Sequence, residues 1–408
     1  MSVLRRYGQL LARPGVTRAV TSAQLVRLPM GITPLALLLL VEEETGSYTT
    51  AGLTTGCYAV AVSLVAPLRS RMVDRSGMAL VLATSGVVYP LALLGLLAAV
   101  LGGAANYVVF ALAVASGLGY PPVAPVMRAL WTRLVPDEAA RRTAYSLESV
   151  LVETTFILGP LGVSVSLLVG SPAVAVVAAA ALVATGSLGL AASPLVRAWV
   201  PDSAVRRGPA GPLVSPALRW LLAVWICLGI SIGATEVALP AAAEAGGSRT
   251  AAGVLLAVWS LGSIVGGLWY GGRDFSTPAE RQYPWLVALL AGASALPLLA
   301  TGLMSLGVLL AVSGMAIAPL STCNSTLVAR LAPPGTVTEA FGWSMTFLFG
   351  GVSIGAAAGG AAVDAGGPRA ALALATAGGL AGLGVVLIRQ RVPGRADEAA
   401  SAPPSVGA

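Results

Sequence analysis

The chain has 408 residues, of which 56% are apolar and 10% charged, with a net charge of +7. A water-soluble protein carries roughly a quarter charged residues, so a soluble globular protein is excluded and a surface facing lipid is implied. All 24 basic residues are arginine; without lysine or histidine there is no P-loop lysine, no H-E-x-x-H zinc site and no serine–histidine pair.

Twelve apolar runs, each of about 19–26 residues, are long enough to cross a bilayer. In chain order they span 17–41, 50–68, 78–101, 105–127, 143–168 and 172–195, then 217–240, 250–271, 283–303, 305–329, 338–363 and 368–390. The first carries Arg27 and is too long for a cleaved leader, so it is read as a retained helix. The polar stretch between the sixth and seventh runs, RAWVPDSAVRRGPAGPLVSPALR at 197–219, holds four arginines and four prolines. It separates two related halves. GSYTTAG at 46–52 returns as GSRTAAG at 247–253, Arg133-Leu134-Val135-Pro136 as Arg330-Leu331-Ala332-Pro333, and Ala144-Tyr145 as Ala340-Phe341. The expected organisation is an all-α polytopic membrane protein of two pseudo-symmetric six-helix bundles. One bundle covers 1–196, a linker 197–216, the other bundle 217–392, and a disordered tail 393–408.

Arginine placement sets the orientation. Counting Arg69, Arg71, Arg75 and Arg128 with the loops they adjoin, 21 arginines fall on one side and only Arg249 and Arg369 on the other. Positive loops stay in the cytoplasm, so both termini and the linker are expected there, in a cell inner (plasma) membrane. The dispersal of arginine over short loops speaks against nucleic acid. Cys57, Cys227 and Cys323 lie in separate runs with no metal-ligand spacing, and neither a metal nor a cofactor is expected.

The loop after the second run reads SRMVDRSG from Ser70 to Gly77. It resembles the G-x-x-x-D-R-x-G signature of the major facilitator superfamily: Asp74, Arg75 and Gly77 match, whereas Ser70 replaces a glycine and Met78-Ala79 a basic pair. GGLWYGGRD, from Gly266 to Asp274, is a decayed second copy, and Leu158-Gly159-Pro160 is similar to the Gly-Pro motif of the family's antiporters. Ala113 stands about where family drug exporters carry an arginine. The resemblance implies a monomeric secondary transporter, not an enzyme, that rocks its two bundles around a central site. It further implies that Asp74, Arg75 and Gly77 latch helices that part during the cycle, although a solvated loop pair is the alternative. Stripes such as Gly351, Gly355 and Gly359 let helices approach closely in lipid.

Four ionisable residues fall inside the runs, where a charge costs on the order of 2.5–3.5 kcal/mol: Arg27, Glu148, Glu153 and Glu236. Glu148 is placed to snorkel or to meet Arg141 or Arg142, and Glu236 to reach water at the outer end. Arg27 and Glu153 are each about 15 Å deep at 1.5 Å per residue. They are expected to pair, either as a proton-coupling device or as a static packing element. Tyr120, Trp259, Thr322 and Asn324 are candidates to line a substrate cavity, with Trp225, Trp269 and Trp343 as further flat walls or interfacial anchors. With so few charges in the runs, the expected substrate is an apolar or amphipathic small molecule exported against proton entry. A uniporter or proton-coupled importer of a neutral metabolite, or a transporter-derived sensor, are the alternatives. Reporter fusions at Gly208 and at the C-terminus should read cytoplasmic, and one near Gly46 exterior; an exterior signal from Gly208 would invert the arrangement.

Overall fold

The computed structural model describes residues 3–199, 211–248 and 251–391. Arg206, Arg207, Arg249 and the 393–408 tail lie outside the described residues. Every regular element among the described residues is helical, as lipid requires when no closed barrel forms. A short helix α1 (Val3–Leu11) precedes α2 (Val16–Thr45), α3 (Tyr48–Ser76) and α4 (Met78–Leu101). After these come α5 (Asn106–Gly119), α6 (Val123–Leu134), α7 (Glu138–Val169), α8 (Pro172–Ala191) and the single turn α9 (Pro194–Arg197). The second half holds α10 (Pro216–Ala245), α11 (Ala251–Gly271), α12 (Ala279–Ala293), α13 (Leu303–Gly314), α14 (Ile317–Leu331) and α15 (Val337–Arg391). α15 is two helices joined where Gly366 and Gly367 leave helical geometry, which completes the twelve spans.

Local chemistry sets the helix ends. The side chains of Ser47, Asp137, Ser171 and Ser215 accept a backbone N–H of the first turns of α3, α7, α8 and α10, satisfying donors that have no intrahelical partner. Gly77 closes α3 at φ 91°, a conformation that a residue with a Cβ adopts only under strain.

Several boundaries differ from the sequence reading, and they decide what enters the membrane. The fourth span is not one helix: it breaks at Tyr120-Pro121-Pro122, where two prolines remove backbone donors, and resumes as α6 to Leu134. The tenth breaks likewise between Gly314 and Ile317, so the interruption recurs at the same place in each half. The fifth span begins at Glu138 rather than 143, because Asp137 caps it. The preceding α1 was not anticipated.

Core packing shows how the halves meet. One continuous apolar cluster at the arginine-rich end joins residues of both, including Val126, Trp131, Tyr145, Leu222, Leu320 and Phe341. Towards the other end the clusters are separate: one contains only first-half residues such as Leu37, Leu93 and Val176, another only second-half residues such as Leu239, Leu255 and Leu310. Tyr145 and Phe341, equivalent positions of the repeat, pack edge to face with centroids 6.1 Å apart. The halves are therefore sealed together on the side assigned to the cytoplasm and parted on the other. Large apolar side chains such as Leu64, Leu91 and Val265 stand exposed around the outside, a surface suited to lipid.

Within the first half, α2 and α7 approach through Gly31 and Gly159. A Cβ on Gly159 would lie 2.6 Å from the Gly31 carbonyl carbon and 2.7 Å from its Cα, and backbone atoms there have nowhere to retreat. Gly159→Leu should lower the thermal unfolding temperature in detergent, consistent with about 1–3 kcal/mol of overpacking; an unchanged unfolding temperature would contradict this packing.

Candidate functional site

Between the parted halves lies a cavity of about 830 Å³. Its wall is mostly apolar, with Trp225, Trp259, Phe156 and Phe349 presenting rings and Arg27, Arg69, Arg128, Glu153 and Glu236 the charges. Such a composition suits a small organic molecule with an apolar body and few polar groups.

The arrangement of these charges corrects the expected pairing. Arg27, 2% exposed, donates from Nη2 to Glu148 Oε2, not to Glu153. Glu148 neither snorkels nor meets Arg141 or Arg142: it is 1% exposed, and its other oxygen accepts from Trp131 Nε1 at 3.0 Å. The cause is the early start of α7. Measured from Glu138, Glu148 and not Glu153 sits at the depth of Arg27. Five residues further on, about 140° around the helix, Glu153 faces the second half, where Ser263 Oγ donates to its Oε1 at 2.8 Å. Glu236 lines the same cavity and interacts electrostatically with Glu153.

Asn324 and Thr322 do not line the cavity. Both are buried in the second half, where Asn324 accepts from the Tyr283 hydroxyl at 3.3 Å and donates to Ser344 Oγ at 3.3 Å. Ser321, one residue earlier, is the member of that polar run that reaches the wall. Tyr120 lines the cavity and donates its hydroxyl to the Val26 carbonyl at 3.0 Å. Trp259 also lines it, as does Pro160, while Trp269 and Trp343 do not.

Two arginines that the sequence reading counts with the loops stand in the cavity wall. Arg69 is in the wall because α3 continues to Ser76; it donates from Nε to the Leu118 carbonyl at 2.6 Å and from Nη1 to Ser85. Arg128 is there because α6 restarts at Val123; it is 4% exposed. The signal for both was present in the sequence, in the prolines that restart the fourth span and in the absence of any breaker between Leu68 and Gly77.

The cavity is closed on the arginine-rich side by polar contacts between the halves. Asp74 accepts the backbone N–H of Thr338 at 3.3 Å and of Glu339 at 2.9 Å, the unpaired donors and positive dipole end of α15. Arg71 donates to Glu339 Oε1 at 2.6 Å. On the opposite face of the seam Arg330 reaches Glu138, Thr143 Oγ1 donates to the Gly271 carbonyl at 2.6 Å, and Ser146 to that of Gly267. Helix α1 lies across this face. Tyr7 donates its hydroxyl to Ser146 Oγ at 3.1 Å, and Arg6 Nη1 to Asp274 at 2.6 Å. That bond holds the Asp274 carboxyl below the usual aspartate range, so its contribution is present at neutral pH and is lost as pH falls through the lowered value. Glycines permit the close approach: a Cβ on Gly342 would lie 2.9 Å from Ser70 Cβ. Arg75 stands exposed to solvent beside this contact, and Gly77 makes the turn that follows it.

If the Asp74 contact holds the seam shut, weakening it should expose the interface. In a background with Cys57, Cys227 and Cys323 replaced, a Ser70→Cys reporter should label with an impermeant maleimide from the arginine-rich face about fivefold faster when combined with Asp74→Asn, the effect of losing about 1 kcal/mol of charge–dipole attraction. An equal labelling rate would argue against a latch.

The family model of the Major Facilitator Superfamily matches residues 22–295. Among solved structures, a human organic anion transporter has a TM-score of 0.71 at 18% identity, covering 91% of this chain and 99% of its own. A bacterial homologue of the iron transporter ferroportin, in an outward-facing state with soaked iron, has a TM-score of 0.74 at 14% identity, over 93% of this chain and 100% of that one. The fucose:proton symporter of E. coli has a TM-score of 0.66 at 13% identity, again over 93% and 100%. No curated protein matches the sequence. With that family match over more than half of its length, a helical fold shared with these transporters and a cavity between two related halves, the chain belongs to the Major Facilitator Superfamily.

Proposed function

We propose that the protein exports a small amphipathic molecule in exchange for protons, by alternating access across a cell membrane, with Glu153 and Glu236 as the proton-carrying groups. The observation that carries this reading is the placement of Glu153. It is a carboxylate of the first half that lines the cavity and is bonded to the second half, through Ser263. A carboxylate at that position interacts differently with the two halves once they move apart, and a ligand shifts a conformational equilibrium only through such a difference. A proton arriving from the outer side would meet Glu153 and Glu236 together. Two negative charges in one apolar cavity repel, and protonation relieves the repulsion. Return to the inward-open state then requires the cytoplasmic contacts of Asp74, Arg71 and Arg330 to break. They are hydrogen bonds to helix ends and ion pairs across the seam, which separate without unfolding either bundle. The shared fold with an organic anion transporter and with a fucose:proton symporter is consistent with organic cargo and with proton coupling.

Glu153→Gln keeps an acceptor for Ser263 but cannot lose or gain a proton. Reconstituted in liposomes, this variant should exchange substrate across the membrane while losing accumulation driven by a pH gradient, by about a hundredfold if Glu153 is the obligatory carrier. Undiminished pH-driven transport would remove Glu153 from the coupling mechanism.

A further inference from the structure

The first-half wall of the cavity contains more positive charge than its partners neutralise. Arg27 and Arg128 both line it, and both interact electrostatically with a single carboxylate, Glu148. Glu148 spends one oxygen on Arg27 and the other on Trp131. Arg128 has a single hydrogen bond, from Nη1 to the Met345 sulfur at 3.8 Å, and sulfur is a weak acceptor. Its Nε, and Nε and Nη1 of Arg27, are buried without a partner. Arg69 differs, since a carbonyl and a hydroxyl satisfy it. A guanidinium presents its donors in a planar fork that matches a carboxylate, and a desolvated one left without a counter-charge is costly.

We infer that the substrate's polar group is an anion, a single carboxylate or a similar acidic group, held by Arg128 and the unpartnered donors of Arg27 while its apolar body lies against Trp225 and Trp259. This deepens the transport reading, on which it rests, by giving the cargo a charge. It also narrows the sequence-based expectation of an apolar or amphipathic substrate to one with a single negative charge. Counted over the first half, Arg27, Arg69 and Arg128 against Glu148 and Glu153 leave one positive charge in excess. Glu153 on the same half and Glu236 across the cavity would repel a second negative group. A monoanion is therefore favoured over a dianion and over a neutral isostere. Leaving a site's buried donors unpaired is what makes a neutral analogue bind poorly.

The test is equilibrium binding to the purified protein in detergent at neutral pH. The probes are phenyl-, indolyl- and naphthyl-alkyl monocarboxylates, their primary amides, and phenylsuccinate as a dianion. At least one monocarboxylate should bind about tenfold or more tightly than its amide and than the dianion. Arg128→Gln should erase the preference for acid over amide, Arg128→Lys should keep part of it, and Trp259→Ala should weaken acid and amide alike. Glu148→Gln should tighten acid binding several-fold, because it releases Arg27 and adds one unit of positive charge; a purely structural cluster would give the opposite result or none. Overturning results would be no acid in the series binding better than its amide, or acid preference surviving intact in Arg128→Gln. Because binding in micelles needs neither gradient nor turnover, its failure would leave the transport reading standing. Loss of pH-driven flux with anion binding intact would instead strike at the coupling.

Discussion

A charge taken out of water into an apolar interior has to be given a partner, and the inside of this protein is arranged around that requirement. Arg27 is buried in α2, so α7 must bring a carboxylate to its depth; Glu148 does so and is itself oriented by Trp131. That pair ties α2 to α7 next to the line where Gly31 and Gly159 let the two backbones meet. Once one face of α7 is committed to Arg27, the face about 140° away is left to carry Glu153 towards the other half. The static pair and the group offered for coupling are thus two consequences of one helix placement. Neutralising one member alone would leave its partner buried and uncompensated, which is why such pairs are strongly destabilising to break.

The second organising feature is the contrast between the two ends of the interface. On the arginine-rich side the halves share a core, press glycine against serine, and hydrogen-bond to each other's helix termini. On the outer side each half has its own core. A closure made of shape and helix-end hydrogen bonds is strong enough to define one state and weak enough to be reversed. The repeat makes an opposite closure geometrically available, because equivalent elements occur in both halves. Tyr145 meets its counterpart Phe341 at the centre, and the cavity helices α5–α6 and α13–α14 are interrupted at matching positions. Interrupted helices at membrane depth are tolerated where they line a cavity rather than lipid.

Legibility from sequence divides along a physical line. Composition, twelve apolar runs, the arginine bias, the repeat and the D-R-x-G loop are one-dimensional properties. They depend on each residue's transfer free energy and order along the chain, so they carried the fold class, the expected orientation and the family resemblance without coordinates. Partnerships between side chains did not follow, because they depend on depth and azimuth together. A five-residue error in where α7 begins moved the expected partner of Arg27 from Glu148 to Glu153 and turned the chosen side chain about 140°. Ending the fourth span at 127 instead of Leu134 counted Arg128 with a loop when it stands in the cavity wall. Asn324 looked like a substrate contact because polar residues in a span demand satisfaction; the structure satisfies it with Tyr283 and Ser344, neighbours brought close only by folding. The sequence by itself determined the solvent, the topology class and four of the charges inside the spans. Tertiary structure alone decided which of those charges are spent on each other and which still face the cavity, since that depends on helix rotation, and hydropathy is blind to rotation.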